Sequence, residues 1–341
     1  MLTDFDQLAE GLPELRSGRK RWRFVLLLVK ADEEAKVAEF GFVSYGDTHG
    51  QVCGDCMCDE ERPFTDMGRD ARWRETEDMT FEAWRGRFWE PLHIVIRSHY
   101  CCSRFFLYME LMHLADCKGV SSLAFGSVLE YLLRRPSLGD NRGDRLVAVN
   151  AFMAQWYRDR PGSHRLPPLR PGNVRAQDGW ADLHGPNIKA ANTRAAAPLF
   201  RDLVRRYCDG SEEGDASMIV ICEGLADYYG ELYSSDVFCT DDKVVAITAT
   251  VGEHWMRMRA LPRRRSILAW KVTPKVHNFQ HTGLCCQVLN PRHAQVYAEE
   301  SLVGTMVKVW RMSVSGRYQA HAQRIVLVKR VLSVLLRYEG L

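Results

Sequence analysis

The chain has 341 residues, 46% of them hydrophobic, with 46 Lys+Arg against 43 Asp+Glu and a net charge of +3. This length accommodates two or three domain-sized units or one large domain with insertions, and no run of about 18 apolar residues exists to span a bilayer. The near-neutral charge neither demonstrates nucleic-acid binding nor excludes a local basic groove.

The first residues, Met-Leu-Thr-Asp-Phe-Asp, lack a basic segment followed by an apolar one and do not read as a secretory signal. The 11 cysteines are therefore expected to be reduced thiols in an intracellular protein, and their odd number argues against a complete disulfide framework. Residues 1–23 are polar and end in the basic run Arg16-Ser-Gly-Arg-Lys-Arg-Trp-Arg23. Phe24-Val-Leu-Leu-Leu-Val29 then reads as a short buried strand, ended by Lys30-Ala-Asp32. A short helix is expected over 33–41, closing at Gly41. Residues 44–80, rich in Gly, Asp and Cys, read as loop. Helical spacing returns from Asp78 to Phe88, and His93-Ile-Val-Ile96 is a candidate strand.

From Leu107 onward the pattern is helical. Ser121 to Arg135 is amphipathic, with Ser121 or Ser122 as cap and Pro136 after its end. A second helix is expected from Arg145 to Asp159. Residues 160–187, rich in Pro and Gly, form an extended connector. Further helices are expected over 188–208, 217–234, 240–260, 274–288, 297–313 and 317–338. The predicted organisation is a polar segment (1–23), a partial α/β portion with a Cys-rich loop (24–106), a helical insertion (107–274) and a C-terminal helical block (275–341). The fold class is α/β plus α, mostly helical.

Several residue groups can carry chemistry. Asp32 follows an apolar strand, and a carboxylate at a strand's C-terminal end suits metal ligation; the alternative is a solvated strand terminator. Cys53-Gly-Asp-Cys56 has zinc-knuckle spacing, with further ligands to come from Cys58, His49 or the His99-Tyr-Cys-Cys102 cluster; the alternative is reduced, non-coordinating thiols. Glu110 and His113 sit three apart, with Asp116 and Cys117 following. His277 and His281 share a helix face, so both imidazoles can point at one spot, which a carboxylate such as Glu300 could also reach. That group reads either as a metal-binding corner or as a buried hydrogen-bonded latch. Arg263-Arg-Arg265 and the 16–23 run are solvated charge, or, with Trp22 and Trp270 nearby, a track for a phosphate backbone.

Taken in order, some of these groups resemble a known family. Lys30-Ala-Asp32 before Gly41, then Cys53-x-x-Cys56, Pro63-Phe-Thr-Asp66 and Ala71-Arg-Trp73, is similar to the middle of large DDE-type transposases of the CACTA and related superfamilies. Met109-Glu-Leu-Met-His113 is similar to their Asp-x-Met-His block, and Lys189-Ala-Ala with Arg194 to a further helical block. Lys275-x-His277, His281, Asn290-Pro-Arg292 and Tyr297-x-x-Glu300-x-x-x-Gly304 with Lys308 resembles the segment carrying their last acid. The resemblance implies a partial RNase H-like core with a large helical insertion. Asp32 would be the second catalytic aspartate and Glu300 the third acid, with Glu110, His113, His277 and His281 accessory. Together with a first aspartate, Asp32 and Glu300 would hold Mg²⁺ for cleavage and transfer of DNA strands. Zinc would sit at the Cys53/Cys56 loop. Arg263, Arg264, Arg265, Lys275 and Lys308 would contact DNA, the location would be nuclear, and a homo-oligomer is compatible with it.

Two departures accompany the resemblance. Only 31 residues precede Asp32, so no first catalytic aspartate is identified, and Glu110 stands where aspartate is usual. The expectation is thus a truncated or degenerate transposase-like protein, inactive for want of the first acid. The alternatives are a non-catalytic DNA- or protein-binding module with structural Cys/His clusters, and a metal hydrolase built on His277, His281 and Glu300.

Overall fold

The computed structural model describes residues 29–31, 53–59, 61–77, 79–80, 82–83, 107–161, 164–174, 178–237, 239, 242–261, 268–286 and 289–295, all within the compact unit Met1–Gln295. The expected helices over 33–41, 297–313 and 317–338 and the strand over 93–96 lie outside the described residues. What is described is mostly helical.

Strands β1 (Val29–Ala31) and β2 (Leu107–Met109) pair in parallel, Val29 opposite Leu107 and Ala31 opposite Met109. They are the extent of named strand among the described residues. β2 falls where a helical pattern was predicted, because three residues are too few to display a period of two. A π-helical turn, Met112–Asp116, follows. Its wider winding turns Asp116 inward, where it accepts from the Tyr229 hydroxyl.

Helix α1 (Val120–Leu132) is buried on almost every side. Gly119, not a serine, is its N-cap. Ser122 Oγ instead accepts from Gly119 N at 3.0 Å, and Ser121 Oγ bonds Tyr229 Oη at 2.8 Å. Helix α2 (Arg142–Arg158) begins before its apolar stripe because Asn141 Oδ1 accepts from Asp144 N at 3.0 Å. Leu146, Val149, Met153 and Trp156 form its buried stripe, at the 3–4 spacing of one helix face.

The described part of the connector after α2 contains a 3₁₀ turn, Pro171–Asn173, and an isolated bridge from Trp180 to Leu268. It crosses α1 closely: Leu183 N donates to Ser122 O at 2.9 Å, and a Cβ on Gly126 would stand 2.4 Å from Asp182 Cα. The single helix expected over 188–208 is two, α3 (Ala190–Ala195) and α4 (Ala197–Tyr207). Pro198 has no N–H to give to the preceding turn, which breaks the ladder there.

Three long helices complete the body: α5 (Asp215–Ser234), α6 (Lys243–Ala260) and α7 (Pro274–Cys286). α5 packs on α4 and α6, and α6 on α7. Phe125 stacks on Phe200 at 4.1 Å, Tyr228 lies 4.8 Å from Phe279, and Trp255 meets Trp270 edge-on at 5.2 Å. Trp270 is therefore a core residue rather than a platform for nucleic acid. Among the described residues no helix is long and apolar enough to cross a membrane, and the cysteines are free thiols.

Candidate metal centre

Helix α7 is buried along nearly its whole length, yet it carries His277, Asn278, Gln280, His281 and Thr282 inside. Burying so many polar groups is costly unless each finds a partner. The partners come from the Cys-rich segment far upstream. Cys53, Cys56 and Cys58 are buried with Ala71 and Trp73 in a small cluster of their own, flanked by Phe64 and distinct from the main helical core. A 3₁₀ turn, Arg72–Thr76, carries Trp73.

Cys53, Cys56, His277 and His281 meet here, with one ligating atom of each within 4.8 Å of all the others and every one buried. The Cys56 sulfur lies 3.3 Å from His277 Nε2, and the two Nε2 atoms lie 3.2 Å apart. A tetrahedral zinc ion with the usual Zn–S and Zn–N bonds separates its ligand atoms by about 3.3–3.8 Å. The donor types, their number and their spacing therefore fit zinc. The 3.2 Å contact between the two Nε2 atoms is that of an N–H···N hydrogen bond, which a shared cation would replace. Both Nδ1 atoms point away and make no hydrogen bond among the described residues.

The surroundings match this role. Asp55 N donates to the Cys53 sulfur at 3.3 Å, and Asn278 Oδ1 lies 3.3 Å from that sulfur. Trp73 sets its edge against both imidazoles, with ring centroids at 4.5 and 5.2 Å, and walls off the centre. Burial opposes charge on the Cys53 thiol, but the neighbouring Cys56 and Cys58 thiols and the two imidazoles bring it well below the ordinary value. Cys56 is pushed up by burial and by Cys53 beside it. Burial lowers His277. At His281 burial acts the same way, but Cys53 and Glu77 outweigh it and raise the imidazole to about 10. Without metal, the pocket thus favours a Cys53 thiolate beside a His281 imidazolium. A divalent cation would displace the His281 and Cys56 protons.

Of the remaining expected site residues, those that are described, Glu110, His113 and Lys275, are not among these four ligands. Asp32, Glu300, Arg263, Arg264, Arg265 and Lys308 lie outside the described residues, as do His49 and residues 99–102. Glu110 is buried beside the π-helical turn, accepting from Met112 N, His113 N and His113 Nδ1, each at 2.7 Å. Lys275 Nζ donates to Cys117 O at 3.1 Å, tying the start of α7 to the turn before α1. The thiol pair was expected to find its other ligands nearby in sequence, and the histidine pair to meet Glu300. The structure brings the two pairs to each other. The legible signal was the spacing itself, since C-x2-C and H-x3-H are the two halves of a Cys₂His₂ site. Trp73, Glu77 and Asn278 carried no such signal.

No family model, curated protein or solved structure matches this chain.

Proposed function

We propose that the chain acts as a metal-stapled binding module in which zinc, held by Cys53, Cys56, His277 and His281, has a structural role. The observation that carries this reading is the convergence of four buried donors on one point. Four protein ligands leave no open position for water or substrate, which separates structural zinc sites from catalytic ones. The ion would clip the Cys-rich segment to α7. Direct contacts assist it: Arg74 Nη2 donates to Gln280 Oε1 of α7 at 3.0 Å, and Arg69 Nε pairs with Glu253 Oε2 of the neighbouring α6 at 2.7 Å. The test is metal analysis of the purified protein. One zinc per chain is expected, and cobalt substitution should give the absorption of a tetrahedral thiolate site. A protein without stoichiometric metal, or a quadruple alanine variant that keeps it, would overturn the reading.

One feature supports a transposase-like role as the second reading. The parallel register places Ala31 opposite Met109, so Glu110 directly follows one of two paired strands. An acid at a strand end is what an RNase H-like core would use, with others, to hold Mg²⁺ for cutting DNA. The partner of the module would then be DNA. Nicking of duplex DNA that needs Mg²⁺ or Mn²⁺ and is lost in Asp32→Ala or Glu300→Ala would establish this chemistry. DNA binding untouched by those changes would leave the non-catalytic module.

A further inference from the structure

If His281 Nε2 binds the ion, its Nδ1 must carry the proton, because a neutral imidazole has one of each. That Nδ1–H is buried and makes no hydrogen bond among the described residues. The Glu77 Oε1 atom stands 3.5 Å from it, a few tenths of an ångström beyond hydrogen-bonding distance. A small approach on metal loading would close the gap. Ligating histidines commonly give their second N–H to a carboxylate, which fixes the tautomer and strengthens the ligand.

Glu77 is held where it can do this. It closes the Arg72–Thr76 turn, its N–H donating to Arg74 O at 3.0 Å. The same turn places Trp73 against the imidazoles. Arg74 also pairs with this carboxylate. Its Nη1 lies 3.5 Å from Glu77 Oε1, its Nε donates to Gly68 O at 2.9 Å, and its Nη2 reaches Gln280 of α7. The guanidinium also lies over the Trp73 ring at 4.4 Å. Charge agrees as well: two thiolates balance a divalent cation, so an added carboxylate needs a counter-charge, and Arg74 supplies it.

We propose that Glu77, backed by Arg74, is the positioning residue of the metal centre, accepting from His281 Nδ1–H and so committing His281 Nε2 to the ion. The proposal rests on the zinc reading above. Glu77 would make the Cys-rich segment more than a source of thiolates, since it would also set the affinity of a histidine on the opposite side of the site.

The test uses the full chain, loaded with zinc. Affinity is measured by competition with a chromophoric chelator, and the tautomers of His277 and His281 by ¹⁵N NMR. Glu77→Ala should weaken zinc binding about 10- to 100-fold and shift the His281 Nδ1–H signal while leaving that of His277 in place. Glu77→Gln, which keeps an acceptor oxygen, should recover part of the affinity. Arg69→Ala removes a docking contact distant from His281 and should leave the tautomer signal unchanged. Equal affinity and an unmoved His281 signal in both Glu77 variants would overturn the proposal. Should Glu77→Ala not fold, the His281 signal of Glu77→Gln decides alone, since an amide is the weaker acceptor. A wild-type chain that takes up no zinc would overturn this proposal and the zinc reading together. Zinc uptake with indifferent Glu77 variants would overturn this one alone.

Discussion

Cys56 and His277 stand 221 positions apart in the chain and 3.3 Å apart in space. Each donor of the centre is a single side chain whose loss leaves three ligands in a buried pocket. Cys56→Ser and His281→Gln are each expected to abolish stoichiometric zinc, read by metal analysis after gel filtration. Binding should also weaken as pH falls. Cys56 and His281 are both pushed towards their protonated forms, so protons compete with the ion, and zinc affinity should rise with pH; chelator titrations at several pH values would reveal an indifferent site. A second residue-scale feature is independent of metal. Arg135 and Asp215 form an ion pair almost wholly out of solvent, at 3% and 1% side-chain exposure. Arg135 also donates to Tyr207 O, and Asp215 Oδ2 accepts from Gly210 N at 3.0 Å. Removing Asp215 leaves Arg135 to its longer pairs with Asp209 at 3.8 Å and Glu212 at 4.0 Å, so Asp215→Ala should cost about 3 kcal/mol. Arg135→Met combined with Asp215→Ala should cost less than the two changes summed, as urea denaturation would measure.

At the scale of elements, the helices meet where side chains are small. The connector backbone at Asp182 lies against Gly126 of α1, and a Cβ there would come within 2.4 Å of it. Gly126→Ala should therefore destabilise by roughly 1–3 kcal/mol through overpacking, despite alanine's better helix propensity; a stabilised variant in thermal denaturation would contradict the close approach. Gly283 plays the same part between α7 and α6, where a Cβ would stand 2.7 Å from Val245 Cα. That contact sets the depth of α7 in the body, and so the depth of His277 and His281.

Across the described part of the molecule, a large and a small core are distinguished. The larger is built from the helices, and the smaller holds the thiols, Ala71 and Trp73. The smaller one buries too little apolar surface to order its segment unaided, which is the circumstance in which a structural metal contributes most. Stripping the metal with a strong chelator should leave the helical circular dichroism nearly intact, lower the melting temperature and open residues 53–77 to protease. Loss of all helical signal on chelation, or no change in protease sensitivity, would show that the two cores do not divide in this way.

Much of the helical body was legible in the sequence, because amphipathic periodicity and capping residues are local properties. Asp215–Ser234, Lys243–Ala260 and Pro274–Cys286 fall close to where the periodicity places them. The break at Pro198 follows from a missing N–H, and the irregular connector from its Pro and Gly content. The π-helical turn and the short β2 strand were not legible, since a five-residue turn and a three-residue strand carry no periodicity of their own. By itself the sequence offered the two half-sites among several candidate ligands, for C-x2-C and H-x3-H spacings are imposed within one turn or one helix. Only the tertiary structure decided that the two pairs share one centre, and that Glu77 stands behind His281. Such pairing depends on how the Cys-rich segment packs on α7, and contacts across more than 200 residues leave no trace in local spacing.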